Sequence, residues 1–148
     1  MSLHEEIDAL RRVPLFAKME PSKLKLLAFT SEKLEYRQGE DLCREGDVGD
    51  AMFVIMAGEA DVIVRTPGGE HTVARLRKNQ FVGEIAILCD VPRTATVRAN
   101  DTVTALRISK ELFFRLIGEF PQLAVEVMRE LALRLTQTTN DLRKARAA

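Results

Sequence analysis

Cysteine and histidine are scarce in this 148-residue chain, which has two residues of each type and no tryptophan. The two cysteines, Cys43 and Cys89, are too few for a disulfide framework, so we expect a reducing, cytoplasmic environment. The two histidines, His4 and His71, leave little material for a metal site. No Ser–His or Cys–His pair stands out for nucleophilic catalysis. The composition therefore predicts neither a metal site nor an enzyme.

The chain also lacks net charge, because 22 Lys and Arg residues balance 22 Asp and Glu residues. That balance argues against non-specific binding to nucleic acid or to an anionic membrane, which needs a positive field, and leaves open only a local patch. No apolar run approaches the length that spans a bilayer, and the acidic N-terminus lacks the basic-then-apolar order of a signal peptide. With 46% hydrophobic and 30% charged residues, the composition is that of a soluble globular protein.

Hydrophobic periodicity divides the chain into helices, a β region and further helices, which we interpret as a single domain spanning 1–148. Short helices are predicted over 1–31. Over 32–108 the period shortens to two residues, and glycines recur about every ten residues. Over 109–145 the helical period returns. The predicted fold class is mainly β with flanking α-helices.

The β region is predicted to be an antiparallel β-roll, a jelly-roll-like double-stranded β-helix whose closure covers the strand edges. A hairpin is expected over 52–64, around the turn at Gly58. The last two strands are expected to pair with one another over 94–108, around the turn at Asn100. Ser109 is then a suitable N-cap for the first helix after the sheet.

Most of the chemical information lies in the segment 81–97. Gly83 permits a close backbone approach or a positive φ. One helical turn is predicted to begin at Glu84, and the free N–H groups at its start favour an anion. Arg93 begins the next strand, and its guanidinium is suited to a phosphate, while the Glu84 carboxylate is suited to sugar hydroxyls. An apolar wall completes a predicted nucleotide site without a metal: Phe81, Val82 and Val97.

A simpler interpretation of the same two charges stays open at this point. Glu84 and Arg93 could form an ion pair that braces a strand–turn–strand corner, with no ligand involved. The order of residues around them, rather than the pair alone, favours the nucleotide site.

That order, Phe81-Val82-Gly83-Glu84-Ile85-Ala86 followed by Pro92-Arg93-Thr94-Ala95-Thr96-Val97, resembles the phosphate-binding cassette of cyclic nucleotide-binding domains. These domains occur in catabolite-activator-type regulators, cyclic-nucleotide-dependent kinases and gated channels. The resemblance covers nearly all the chain, including Gly39-Glu40, Glu45-Gly46-Asp47 and Gly58-Glu59-Ala60 as family turns.

The resemblance implies a ligand, cAMP or cGMP, and no other cofactor. Glu84 would accept from the ribose 2′-hydroxyl, and Arg93 would bind the exocyclic oxygens of the cyclic phosphate. The Thr94 hydroxyl would donate to the phosphate or contact a guanine amino group. The alternative is that this threonine is present only because threonine favours a β-strand. The implied ligand-binding set is Gly83, Glu84, Ile85, Ala86, Arg93, Thr94 and Ala95.

The last predicted helix carries two further expectations. Apolar residues at heptad spacing along it, to about Arg143, favour a homodimer, although an amphipathic helix folded onto its own domain stays an alternative. Thr138 and Thr139 resemble the pair that contacts adenine in the catabolite-activator-type regulators. The alternative is that they are two solvated threonines without a ligand contact. The heptad positions are Ala124, Met128, Leu131, Leu135, Thr138 and Leu142.

The function that the resemblance implies is a regulatory sensor in which the nucleotide moves the C-terminal helix and an unknown effector protein responds to it. We expect this chain alone to bind neither DNA nor a membrane. It is either a stand-alone module or part of a longer regulator. The alternative is a degenerate β-roll that binds no ligand and serves protein–protein interaction or dimerisation. An enzyme on a related metal-binding β-helix is disfavoured, since His71 is the only strand histidine.

Overall fold

The computed structural model describes residues 2–147, which form two four-stranded antiparallel sheets with helices before and after them. Sheet I has the order β1-β8-β3-β6, and sheet II has the order β2-β7-β4-β5. The strands are β1 (Glu32–Tyr36), β2 (Asp41–Cys43), β3 (Ala51–Ala57), β4 (Ala60–Thr66), β5 (Gly69–Leu76), β6 (Phe81–Val82), β7 (Thr96–Ala99) and β8 (Val103–Ser109). The predicted antiparallel β-roll with flanking helices is therefore confirmed.

Five α-helices flank or interrupt the strands. They are α1 (Leu3–Arg11), α2 (Pro21–Thr30), α3 (Glu84–Cys89), α4 (Lys110–Glu119) and α5 (Gln122–Ala147), and a 3-10 helix covers Pro14–Phe16. The predicted N-cap of α4 is confirmed, because the Ser109 hydroxyl accepts from the backbone N–H of Leu112 at 3.1 Å. Helix α5 extends past its predicted end near Arg143. None of the helices within 2–147 is long and apolar enough to cross a bilayer.

Sheet I separates two apolar cores. Because side chains alternate along a strand, Phe53 and Ile55 of β3 pack against sheet II, whereas Met52 and Val54 pack against the helices. Burial on both faces explains why β3 is a continuous apolar run rather than an alternating one. All six helical elements contribute to the core on the helical side of sheet I, so the N-terminal helices, α4 and the start of α5 cover one face of the roll.

The two predicted pairings around Gly58 and Asn100 are wrong. Strands β3 and β4 lie in different sheets, as do β7 and β8, so both turns carry the chain across the roll. The turns pack on each other, because Glu59 N–H donates to Asp101 Oδ1 at 2.8 Å and Asn100 N–H donates to the Glu59 carbonyl at 2.9 Å. Gly58 has φ +83°, and a Cβ there would lie 2.1 Å from the Thr102 carbonyl oxygen. The alternation of apolar and polar side chains along a strand predicts which residues face the core, but not which other strand pairs with it.

Helix α5 is docked on the domain over its first half only. Leu123 and Val127 are buried, and Leu131 packs against the helical core. Every residue from 135 to 147 is exposed. The predicted heptad seam is therefore partly wrong, since Leu131 faces its own domain. The apolar stripe that stays open to solvent is Val125, Met128, Ala132, Leu135 and Leu142.

Candidate functional site

A cavity of about 430 Å³ lies where segment 81–97 meets strands β4 and β5 and helix α5. Its volume is within the range of small-molecule sites, roughly 300–1,000 Å³. All seven residues of the predicted ligand-binding set line it. Of the two predicted base contacts, Thr138 lines the cavity, while Thr139 is not among the lining residues. The full lining is Cys43, Val62, Val73, Ala74, Arg75, Leu76, Gln80, Val82, Gly83, Glu84, Ile85, Ala86, Arg93, Thr94, Ala95, Val97, Arg134, Gln137, Thr138 and Asp141.

Gly83 makes the sharp turn from β6 into α3. It has φ +96°, a conformation that side-chain-bearing residues rarely adopt. A Cβ at Gly83 would also stand 2.6 Å from Nη1 of Arg93 and 3.1 Å from the Ala51 carbonyl oxygen. Both the backbone dihedral and the lack of space for a Cβ therefore require glycine at position 83. Without a side chain there, the Arg93 guanidinium can lie directly against the backbone.

Arg93 is buried, with 5% of its surface exposed. Its Nη1 donates to the Gly83 carbonyl at 3.2 Å, and its Nη2 donates to the Ala51 carbonyl at 2.6 Å. The nearest carboxylate oxygen, on Asp50, is 4.0 Å from Nη2. A guanidinium has five N–H donors, so these two hydrogen bonds fix its plane and leave further donors for an anion.

Glu84 is the second buried charge, with 2% of its surface exposed. Its Oε1 accepts from Nη1 of Arg134 at 3.1 Å, whereas its Oε2 is buried and has no hydrogen-bond partner within 2–147. Burial raises the pKa of Glu84 above 4.5, although the charges of Arg134 and Arg93 act in the opposite direction. An unpartnered buried acceptor is costly, and it is the acceptor that a hydroxyl-bearing ligand would satisfy.

The simpler interpretation, in which Glu84 pairs with Arg93, is wrong. Among the described residues, the cation within 4.0 Å of Glu84 is Arg134, and the carboxylate within 4.0 Å of Arg93 is that of Asp50. Glu84 and Arg93 thus lie on one cavity without neutralising each other directly.

The sequence does not predict the role of Arg134. It lies on α5, its guanidinium is 4.4 Å from the centroid of the Phe81 ring, and its Nη2 donates to the Phe81 carbonyl. The signal was present in the spacing: Val127 and Leu131 mark the docked face of α5, and Arg134 follows on that face. An arginine on the same helix face as buried apolar residues is brought against the domain, so its charge is expected to pair with an acceptor there.

The end of the cavity along α5 is polar. The Thr138 hydroxyl donates to the Arg134 carbonyl and the Thr139 hydroxyl to the Leu135 carbonyl, both at 2.9 Å, so both hydroxyls serve their own helix. Two unpredicted residues line the cavity beside Thr138: Gln137 and Asp141, joined by a 2.9 Å hydrogen bond from Nε2 to Oδ1.

The cavity residues from β4 and β5 are largely apolar, and Cys43 of β2 also lines the cavity, where burial raises the pKa of the thiol. No group of three or more His, Cys, Asp or Glu residues in the described chain is placed to hold a metal ion. The arrangement suits a small monoanion with hydroxyl groups and an apolar ring system.

The sequence of this chain is similar to that of known proteins. Residues 33–120 match the family model described as cyclic nucleotide-binding domain. The cAMP-dependent protein kinase regulatory subunit of Blastocladiella emersonii is 38% identical over 74% of this chain, and that of Eremothecium gossypii is 37% identical over 82%. This chain spans about a quarter of the length of both relatives, 27% and 25%.

The fold is also similar to that of solved regulators. The Thermus thermophilus catabolite activator protein has a TM-score of 0.78 and 27% identity, over 88% of this chain and 62% of that chain. The sensor domain of the transcriptional regulator DNR from Pseudomonas aeruginosa has a TM-score of 0.80 at 22% identity, over 93% of both chains, which is a likeness of fold.

Proposed function

This chain belongs to the cyclic nucleotide-binding domain family, and we propose that it binds cAMP or cGMP as a non-catalytic regulatory sensor. One observation carries the proposal: buried Arg93 and buried Glu84 line one cavity, and each keeps unused hydrogen-bonding capacity. Arg93 supplies donors to the exocyclic phosphate oxygens, and Oε2 of Glu84 accepts from the ribose 2′-hydroxyl. Side chains of β4 and β5 cover the base.

The charge of the site favours a cyclic phosphate over an open-chain one. The charged residues that line the cavity are three arginines (Arg75, Arg93 and Arg134) and two carboxylates (Glu84 and Asp141), which leaves one net positive charge. A cyclic phosphodiester carries one negative charge, whereas a terminal phosphate carries about two at neutral pH. A second unpaired negative charge in a buried site is costly, which favours the cyclic nucleotide.

The regulatory output proposed is a change in the position of α5. Arg134 joins α5 to the same carboxylate that would hold the ligand sugar, so ligand binding and helix docking share one group. A ligand shifts the docked population only as far as its contacts differ between the two positions. An effector protein that contacts α5 would then respond to the ligand.

We also propose a homodimer through α5. The stripe Val125, Met128, Ala132, Leu135 and Leu142 alternates by three and four residues except for one turn, at Thr139. Leu135 is 69% exposed, which is costly for a leucine in water. A second copy offers a matching stripe, and a two-fold axis is the commonest arrangement for such a pair.

Calorimetry of cAMP, cGMP and AMP on one preparation, with its oligomeric mass recorded, tests this function. We expect saturable binding of at least one cyclic nucleotide and binding of AMP weaker by about tenfold or more, equivalent to about 1.4 kcal/mol. Absence of heat and of thermal stabilisation with both cyclic nucleotides would overturn the proposal and favour the dimerisation module.

A further inference from the structure

A second cavity, of about 170 Å³, lies on the helical side of sheet I, between that sheet and helices α1 and α2. Its floor comes from three neighbouring strands, β1, β8 and β3, and its wall includes Leu10 of α1 and Ala28 of α2. Among the described residues, none lines both this cavity and the one that contains Glu84 and Arg93. The two cavities are therefore separate places in the fold.

A β-bulge in β3 shapes the floor of this second cavity. In the pairing of β3 with β8, Ile55 lies opposite Ala105 and Ala57 lies opposite Thr104, so Met56 is the extra residue of the bulge. A bulge bends its strand and redirects the side chains beside it, and bulges are common next to functional sites. Met56 and Ala57 both line the cavity. The cavity thus lies where the bulge interrupts the regular packing of β3.

Small side chains leave this cavity open. Ala28 lines it from α2 and Ala57 lines it from β3, while Leu10, Met56 and Leu106 supply apolar surface. An apolar cavity of about 150 Å³ holds a molecule of the size of benzene. The space therefore suits a single ring or a short alkyl chain, and it is too small for a nucleotide.

The polar residues that line the cavity determine which charge a ligand should carry. They include two carboxylates, Glu6 of α1 and Glu35 of β1, and one ammonium group, that of Lys33, which leaves one net negative charge however these groups pair. The Ser31 hydroxyl also lines the cavity and donates to the Leu27 carbonyl, so its oxygen is left to accept. Both features favour a positively charged donor.

We propose that this cavity is a second ligand site, which binds a small amine with an apolar body of one ring or a short chain. The apolar body fills the space beside Ala28 and Met56, and the ammonium group donates to the carboxylates of Glu6 and Glu35. The site is separate from the nucleotide cavity, so the proposal does not rest on the proposed function. Because Glu35 is exposed, water screens its charge, and the preference for a cation is expected to be small.

The test uses NMR of the methionine methyl groups in the full chain near neutral pH. The probe is benzylamine, and benzyl alcohol and benzoate are the neutral and anionic probes of the same shape. We expect the Met56 methyl signal to shift saturably with benzylamine, with a Kd on the order of 1 mM. The signal of Met128, which is 60% exposed on α5, should stay in place. Affinity should fall from benzylamine to benzyl alcohol to benzoate, by about two- to fivefold at each step.

Two variants fill the cavity from different sides, Ala28→Leu and Ala57→Leu. Each is expected to weaken benzylamine binding by about tenfold or more, because the added side chain occupies the space of the ring. Ala145→Leu makes the same change at an exposed position of α5 and is the matched control. Glu35→Gln should reduce the preference for benzylamine over benzyl alcohol, whereas Glu20→Gln, an exposed change of equal charge at the other end of α2, should leave it unchanged.

Three results would overturn the proposal. The first is a Met56 signal that stays in place, or that moves together with that of Met128, up to about tenfold above the expected Kd. The second is wild-type affinity for benzylamine in the filled variants, and the third is tighter binding of benzoate than of benzylamine at Met56. If Ala28→Leu does not fold, Ala57→Leu decides the second point, because Ala57 lies at an exposed edge of the cavity.

Discussion

Gly49 packs so closely on Ala86 that a Cβ added to Gly49 would stand 2.1 Å from the Ala86 Cβ. The loop after β2 thus lies directly on helix α3. Two hydrogen bonds hold the loop to the far end of the cassette: Gly46 N–H donates to the Arg93 carbonyl at 2.9 Å, and Arg93 N–H donates to the Asp47 carbonyl at 2.8 Å. The cassette is therefore clamped at its helix and at its arginine by one loop.

Substitution Gly49→Ala is expected to displace α3 and to weaken both stability and ligand affinity. Overpacking of this kind costs about 1–3 kcal/mol. Urea unfolding measures the stability, and calorimetry measures the affinity. Gly118→Ala is the matched control, because nothing lies within 4 Å of its added Cβ and alanine favours a helix by up to about 1 kcal/mol. Equal stability of Gly49→Ala and the wild type would contradict this packing.

Arg93 has a structural role besides the one that the sequence predicts. Its hydrogen bonds to the Gly83 and Ala51 carbonyls join the start of α3 to β3. Arg93→Ala is expected to abolish detectable ligand binding and also to destabilise the ligand-free domain, since an unsatisfied buried group costs about 1–3 kcal/mol. Arg93→Lys keeps the charge but loses the fork, so it is expected to retain part of the stability and little of the affinity.

Thermal unfolding without ligand and with the cyclic nucleotide that binds the wild type more tightly separates these two effects. Arg98→Lys provides a control, because Arg98 forms ion pairs with Asp41 and Glu70 on the outer face of sheet II. If Arg93→Ala unfolds at the wild-type temperature without ligand, the structural role is refuted. If the cyclic nucleotide that stabilises the wild type stabilises this variant as strongly, the site assignment is refuted.

The extent to which the sequence predicts this molecule depends on the range of each interaction. Helix and strand types follow from local period and capping, as Ser109 shows at the start of α4. Pairing partners depend on contacts between distant segments, and the turns at Gly58 and Asn100 carry the chain between sheets where alternation alone favours hairpins.

The residues of the candidate site also differ in how far apart they lie along the sequence, and only those within one segment are predicted from it. The cassette is contiguous, so its seven predicted residues meet at one cavity. Arg134 lies 50 positions after Glu84, and only the docking of α5 brings them together. Thr138 and Thr139 are adjacent on α5, and the rotation of the helix places Thr138, but not Thr139, on the cavity. A motif gives residue type and order, whereas helix rotation is decided by which side chains are buried.

The raised pKa of Glu84 predicts a pH-dependent stability of the ligand-free domain. The folded state holds the Glu84 proton more tightly than the unfolded state, so the penalty for its charge is absent below about pH 4.5, grows as pH rises through the folded pKa and is complete above it. The stability of the wild type relative to Glu84→Gln should therefore decrease as pH rises from that value. Urea unfolding at several pH values measures the difference.

Glu119→Gln supplies the comparison of opposite sign. The hydrogen bond and charge of Lys23 lower the pKa of Glu119, so its stabilising contribution is present above the unfolded pKa and is lost as pH falls. Parallel slopes for the two variants would show that burial does not control the Glu84 carboxyl.

If the proposed homodimer forms through the exposed stripe of α5, one charge introduced into the stripe should separate the two copies. Leu135 lies in the centre of the stripe, and Leu135→Glu would bury a carboxylate against the second copy without a cation. We expect this variant to be monomeric by sedimentation at concentrations where the wild type is dimeric. Leu133→Glu is the matched control, because Leu133 is 60% exposed, comparable to 69% for Leu135, yet lies off the stripe. A monomeric wild type, or equal dissociation of both variants, would refute the α5 interface.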